Sequence, residues 1–253
     1  MEASLKAKLD SSLKSLRLPT FLSQYNEYAR NALDEQYSYE QFLFSLAHKE
    51  LEQRSANRVK YLINQAKFPK VKMLSDYDFS QVEIKQDAIN QLCQGYFLKD
   101  TENIIFYGNP GTGKTHLAMA IGRELCLKSF KVIFFTACEL IQHLVKAKNN
   151  LTLSKYFKRM MGYDLVIIDE LGYIPFSKSE SDLLFQFISD RYERRSVLIT
   201  TNLAFSEWDT VFQDAMLASA AIDRIVHYSQ IFKFDQDSSY RTEVAKKRTR
   251  QAG

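Results

Sequence analysis

Residues 108 to 116 read Gly108, Asn109, Pro110, Gly111, Thr112, Gly113, Lys114, Thr115 and His116, a G-x-x-x-x-G-K-T spacing directly after the apolar run "NIIFYG". A strand that feeds a glycine-rich turn and then a helix surrounds phosphate oxygens with backbone N–H groups. Gly108, Gly111 and Gly113 keep Cβ atoms out of the cradle, Pro110 stiffens the turn, and a helix opening near Lys114 points its free N–H groups at the anion. Lys114 is expected to reach the β- and γ-phosphates of a nucleoside triphosphate, with the Thr115 hydroxyl as one ligand of a Mg²⁺ ion.

Three further groups could complete such a site. The run "DLVIIDE" ends in adjacent carboxylates: Asp169 is suited to accept from a Mg²⁺-bound water, and Glu170 to orient or deprotonate the water that attacks the γ-phosphate. "SVLITTN" ends in Thr201 and Asn202; Asn202 could hold that water or sense the γ-phosphate, or it could cap a turn, a usual task for asparagine. Arg224, in "SAAIDRIVHYSQIFKF", has the group that neutralises charge on a transferring phosphoryl, and from a neighbouring subunit it would couple hydrolysis to assembly; a surface ion pair is its other reading. Arg241 opens a short basic helix in "SSYRTEVAKKR".

The elements that must carry these groups follow from periodicity. Residues 1 to about 75 show helical spacing, with Leu5, Leu9, Leu13 and Leu16 and then Phe42, Leu46, Leu51 and Leu62, so an all-helical N-terminal domain is expected there. Ser38 followed by Gln41 reads as a capping box, and Pro69 closes the last helix before a polar linker, "SDYDFSQVEIKQD". From residue 76 to 253, short β-branched and aromatic runs alternate with helical segments, which means a parallel sheet covered on both faces. Such sheets bind ligands beyond the carboxyl ends of their strands, where Lys114, Asp169, Glu170 and Asn202 all fall. Phe79 and Val82, in that polar linker, are candidate walls for a base.

Composition sets the outer bounds. The chain has 253 residues, 45% of them hydrophobic, with 34 basic against 30 acidic side chains. It has no apolar stretch near the roughly 20 residues that span a bilayer. Cys93, Cys126 and Cys138 are odd in number and lack C-x-x-C spacing, and the four histidines lack metal-ligand spacing, so a cytoplasmic protein with reduced thiols and no structural zinc is expected. The ends are basic, which fits either an anionic polymer or a solvated charged tail. An N-K-x-D guanine element is absent, and the adjacent Asp169 and Glu170 favour water as nucleophile over the acceptor hydroxyl of a kinase.

The loop, "IIDE", "TTN", "DR" and "SYR" occur in this order, together with "FPKVKMLSDYDF", "DELGYIP", "RYERRS", "FSEW" and "AAIDRIVHYS". In these segments, over most of its length, the chain resembles the IstB-like ATPases of insertion sequences, a branch of the AAA+ initiator and helicase-loader group. The resemblance implies a five-stranded AAA+ sheet of order 5-1-4-3-2, Asn202 as polar sensor, Arg224 as a finger on a neighbouring subunit's ATP, and Arg241 as a sensor contacting nucleotide. It also implies the function: an ATPase that oligomerises through ATP-bridged interfaces on double-stranded DNA and presents that DNA to a partner transposase. A replicative helicase loader of the same group is the alternative. Largely nonspecific phosphate contacts would come from Lys146, Lys148, Lys155, Lys158 and Arg159, interleaved with Tyr156 and Phe157, or from Arg54 and Arg58; a solvated helix face with the aromatics in the core is the other reading of these residues.

Overall fold

A computed structural model describes residues 2–234. The chain forms two compact units, Met1–Tyr61 and Leu62–Gly253. The division falls inside a helix, whereas composition changes near residue 75. The expected short basic helix around Arg241 lies outside the described residues.

The first unit holds α1 (Glu2–Ser15), α2 (Pro19–Asp34) and most of α3 (Tyr39–Ala66). Pro19 occupies the first turn of α2, where its missing N–H costs nothing. The Ser38 capping box forms as expected: Gln41 N–H donates to Ser38 Oγ at 3.2 Å and Ser38 N–H to Gln41 Oε1 at 2.8 Å. Leu13 and Leu46 are buried, but Leu5, Leu16 and Leu51 are exposed, so the leucine periodicity marks the helices without marking a core. The interior polar link is Glu50, which accepts from Thr20 N–H at 2.8 Å and from Arg54 Nε at 2.7 Å. Burial pushes the Glu50 carboxyl up, but these donors outweigh it and hold the group below its usual range.

The second unit is a three-layer sandwich around a parallel sheet of β1 (Asn103–Gly108), β2 (Val132–Thr136), β3 (Leu165–Leu171), β4 (Ser196–Thr201) and β5 (Ser229–Phe234). The spatial order is β2-β3-β4-β1-β5, the 5-1-4-3-2 arrangement expected above. Alternate strand residues point to opposite layers. Ile105, Ile133, Val166, Ile168, Val197 and Ile199 face one layer, and Ile104, Phe106, Phe134, Leu165, Ile167 and Leu198 the other. The first layer is built from α6 (Ala137–Asn149), α7 (Leu153–Met160), α8 (Lys178–Arg191), α9 (Trp208–Phe212) and α10 (Ala215–Val226). The second is built from α4 (Gln86–Gln94), α5 (Lys114–Leu127) and the last turn of α3, whose Leu62 and Ala66 are buried here. Helix α4, absent from the sequence expectation, buries Ile89, Leu92 and Cys93 behind a polar exterior.

Arg191, at the end of α8, is 1% exposed and closes the amino-terminal side of the sheet. Its guanidinium donates to the carbonyls of Met160 at 2.8 Å, Tyr163 at 3.2 Å and Ser196 at 2.8 Å. Burial, with Arg195 adding to it, pushes this group down to about 9. Arg191→Met should therefore leave three inward carbonyls without their charged donor and destabilise the protein by roughly 3 kcal/mol, read as a lowered urea midpoint at unchanged slope.

Candidate functional site

The glycine loop leaves β1 at Gly108 and enters α5 at Lys114. Gly108 has φ +134°, and a Cβ there would lie 2.3 Å from the Phe234 carbonyl oxygen at the end of β5. That carbonyl accepts from Asn109 N–H at 3.2 Å, so the edge strand fixes the loop's first turn. Gly113 has φ +91°, and a Cβ there would lie 2.5 Å from the ring of Tyr77. The Tyr77 hydroxyl donates to the Thr112 carbonyl at 3.0 Å, and Thr112 Oγ1 donates to the Asn109 carbonyl at 2.8 Å. Lys114 is buried, its ammonium donating at 2.7 Å to each of the Gly108 and Asn109 carbonyls. His116 lines the same cleft, but its Nε2 lies 2.9 Å from the Met73 carbonyl and its ring stands edge-on to Tyr77.

The carboxylates sit at a bulge. Ile168 pairs with Ile199 and Leu171 with Thr201, so Asp169 and Glu170 together face the single residue Thr200. Glu170 has φ +61°, a left-handed conformation rare for a non-glycine residue, and it is exposed while both of its neighbours are buried. A bulge re-aims a side chain in this way, and strain of this kind gathers at working sites. Asp169 is 2% exposed and its Oδ1 accepts from Thr115 Oγ1 at 2.9 Å and from Thr200 Oγ1. The Glu170 N–H donates to Thr200 Oγ1 at 3.0 Å. Burial raises the Asp169 carboxyl above its usual range; Thr200 and Thr115 pull it down, Glu170 raises it further, and Lys114 lowers it.

These groups converge on one cleft of about 710 Å³, with the loop as floor and Tyr77, Asp78, Glu170 and Tyr173 among its walls. A loop of left-handed glycines closed by Lys114 suits a polyphosphate, and the adjoining Thr115 hydroxyl and Asp169 carboxylate are hard oxygen donors of the kind Mg²⁺ takes. Phe79 and Val82 do not line the cleft; they pack on the core behind it, and Tyr77 is the aromatic wall.

Asn202 follows β4, and its Oδ1 is buried without a hydrogen-bond partner among the described residues. The turn after β4 is capped by Thr201 instead, whose Oγ1 accepts from Leu203 N–H at 3.1 Å. Arg191 Nε, Ser196 Oγ and Trp208 Nε1 are other buried atoms in the same position among the described residues, so the unused capacity does not by itself single Asn202 out, and Asn202 follows the cleft-lining Thr201 without lining the cleft itself. Arg224 does not line the cleft and forms no ion pair among the described residues: its guanidinium lies 4.6 Å over the Phe185 ring, with Nη1 3.4 Å from the Ala220 carbonyl. Arg241 lies outside the described residues.

Lys146 and Lys148 on α6, and Lys155, Lys158 and Arg159 on α7, are all exposed. Tyr156 and Met160 are buried beneath them, and the Arg159 guanidinium lies 4.9 Å over the Tyr156 ring. In the first unit Arg58 is exposed, but Arg54 is committed to Glu50 and to the Arg17 carbonyl, which explains its position without a ligand. Two residues of the site had no forewarning in the sequence. Tyr77 is one aromatic in a polar linker, and Thr200 is one of two adjacent threonines at the end of β4.

Residues 11–249 match the family described as IstB-like ATP binding protein. An insertion-sequence ATP-binding protein of Sinorhizobium fredii is 36% identical over 98% of this chain and 84% of its own. The IS5376 ATP-binding protein of Geobacillus stearothermophilus is 34% identical over 92% of this chain and 94% of its own. Among solved structures, AMPPCP-bound DnaA from Aquifex aeolicus superposes with a TM-score of 0.56 at 19% identity, covering 73% of this chain and 56% of that one. The DnaC helicase loader gives 0.52 at 21% identity, covering 70% and 99%. At these identities the likeness establishes the AAA+ fold. Among the described residues, no helix is long and apolar enough to cross a membrane.

The strained electrostatics of Asp169 have a measurable sign. A carboxyl whose folded value is raised destabilises the fold as pH rises from its unfolded value through the folded one, and the full cost is present above that. Asp169→Asn keeps an acceptor for both threonines without the buried charge, so at neutral pH and without nucleotide it should melt at or above the wild-type temperature. The difference should narrow in thermal scans taken toward pH 4, near the ordinary aspartate value.

Proposed function

The chain belongs to the IstB-like ATP-binding family, and from that premise we propose that it hydrolyses ATP, assembles on duplex DNA and presents that DNA to the transposase of its insertion sequence. The observation that carries the hydrolysis is the bulge: it turns Glu170 into the cleft while Asp169 stays buried beside Thr115. Glu170 takes the proton of a water whose oxygen bonds to the γ-phosphorus as the bond to the ADP oxygen breaks, leaving ADP and phosphate. Lys114 lies where it offsets phosphate charge, and the Asn202 amide is free to hold the water. Thr115, and Asp169 through water, would hold Mg²⁺, which supplies charge neutralisation on the phosphates. Arg224 sits outside its own cleft, as a group serving a neighbouring subunit's ATP must. This reading places the protein in the cytoplasm.

The duplex interface is the exposed basic face of α6 and α7, with its aromatics turned inward. Four of the five cations of that face are lysines, point charges suited to phosphate oxygens, so charge and shape dominate binding. Lys155, Lys158 and Arg159 would contact phosphates, and each should release counterions on binding.

The test is a mobility-shift series, with particle size measured in parallel, on random-sequence duplex. Wild type with ATP, and more so Glu170→Gln, should form large assemblies that dissolve with rising salt, while Glu170→Gln loses at least about 100-fold in turnover. Arg224→Ala should bind nucleotide but neither assemble nor hydrolyse. Replacing Lys155, Lys158 and Arg159 together by alanine should reduce the salt slope by about 3. ATP turnover with no duplex binding at any salt concentration would overturn the DNA role.

A further inference from the structure

Resting on the reading of the cleft as an ATP-hydrolysing site, we propose that Thr200 positions both carboxylates, its one hydroxyl fixing the side chain of Asp169 and the main chain of Glu170 together. A threonine hydroxyl has one hydrogen and two lone pairs. Here the hydrogen goes to Asp169 Oδ1 and a lone pair receives the Glu170 N–H. Neither bond is part of the regular sheet. The bulge sets two residues of β3 against one of β4, so the inserted residue needs a partner for its N–H, and Thr200 Oγ1 takes the place of a strand carbonyl.

This makes the left-handed Glu170 conformation a consequence of β4 as much as of β3. Thr200 is 2% exposed and β-branched, so its rotamer is held by packing and its hydroxyl cannot swing to another partner. The next residue closes the bulge from its far side, Thr201 Oγ1 donating to the Leu171 carbonyl at 2.7 Å. Asn202 follows at once. One strand end therefore carries the hydroxyl that sets the two carboxylates and the hydroxyl that ends the bulge. Thr115 and Thr200 both converge on Oδ1 of Asp169, which leaves Oδ2 as the oxygen for a further donor. Thr200 touches no reacting atom; it acts through Asp169 and Glu170.

Thr200→Val fills the same space without the hydroxyl, and Thr200→Ser keeps the hydroxyl without the methyl. Three quantities would be read on the full chain: ATP turnover, affinity for a fluorescent ATP analogue, and the Mg²⁺ concentration that half-saturates each. Thr200→Val should lose about 10- to 100-fold in turnover, keep its analogue affinity close to wild type at saturating Mg²⁺, and need more Mg²⁺ to reach it. Thr200→Ser should restore turnover and Mg²⁺ dependence, which a packing role would not allow. Should valine unfold the protein, Thr200→Ala provides the same comparison with less crowding of the polar pocket. Wild-type turnover and Mg²⁺ dependence in Thr200→Val, or losses that merely follow the folded fraction, would overturn the proposal. A wild type that binds ATP and Mg²⁺ without turning over would refute the hydrolysis reading alone; an unchanged Mg²⁺ dependence of analogue binding in Thr200→Val would still overturn the role of Thr200.

Discussion

Keeping a carboxylate dry is the constraint around which the cleft is built. Asp169 is 2% exposed, and an ionised carboxyl in such a place must be surrounded by donors. Two hydroxyls supply them from different elements, Thr115 from the first turn of α5 and Thr200 from β4, with the Lys114 charge close by. Each donor sits at the carboxyl end of its strand or just beyond it, so the parallel arrangement itself brings them together. The β1-β4-β3 order matters here: β4 lies between the loop strand and the carboxylate strand, and its last residues fill the space both must share. Glu170 is the counterpart, pushed outward by the same bulge that keeps its neighbour in.

How much of this was legible in the sequence depended on distance along the chain. The loop and its flanking strand and helix are local, and β1 ends at the glycine where the apolar run ends. "DLVIIDE" announced a strand with two acids at its end, but the bulge is a property of register against β4 and cannot be seen in either strand alone. Tyr77 reaches the loop across 35 residues of chain, and no spacing rule links them. Helix α4 was hidden because its nine residues present just three buried side chains to a periodicity reading. Leucine spacing located α1 and α3 but overstated their burial, since periodicity records which residues share a face and not what covers it.

The second unit distributes its polar interior unequally. At the amino-terminal side of the sheet Arg191 gives bonds to three carbonyls, while its own Nε and the Ser196 Oγ are buried without a partner among the described residues. At the opposite side the polar groups face a cleft of about 710 Å³, and the Asn202 oxygen retains unused capacity. What distinguishes the two ends is the cleft itself, since unpartnered buried polar atoms occur at both. That asymmetry is the usual division of labour in a parallel sheet, whose ligands gather beyond the carboxyl ends of the strands.

The tie between the linker and the glycine loop has an acid–base character of its own. Burial, with Asp78 adding to it, pushes the Tyr77 phenol up to about 12, so it remains a donor to the Thr112 carbonyl at neutral pH and well above it. A second contact ties the same segment to the start of α5, His116 Nε2 lying 2.9 Å from the Met73 carbonyl. The segment that walls the cleft is thus pinned to the loop by a phenol that holds its proton more firmly than an ordinary one. This wall of the cleft therefore keeps its tie to the loop at a pH where an ordinary phenol would begin to lose its proton.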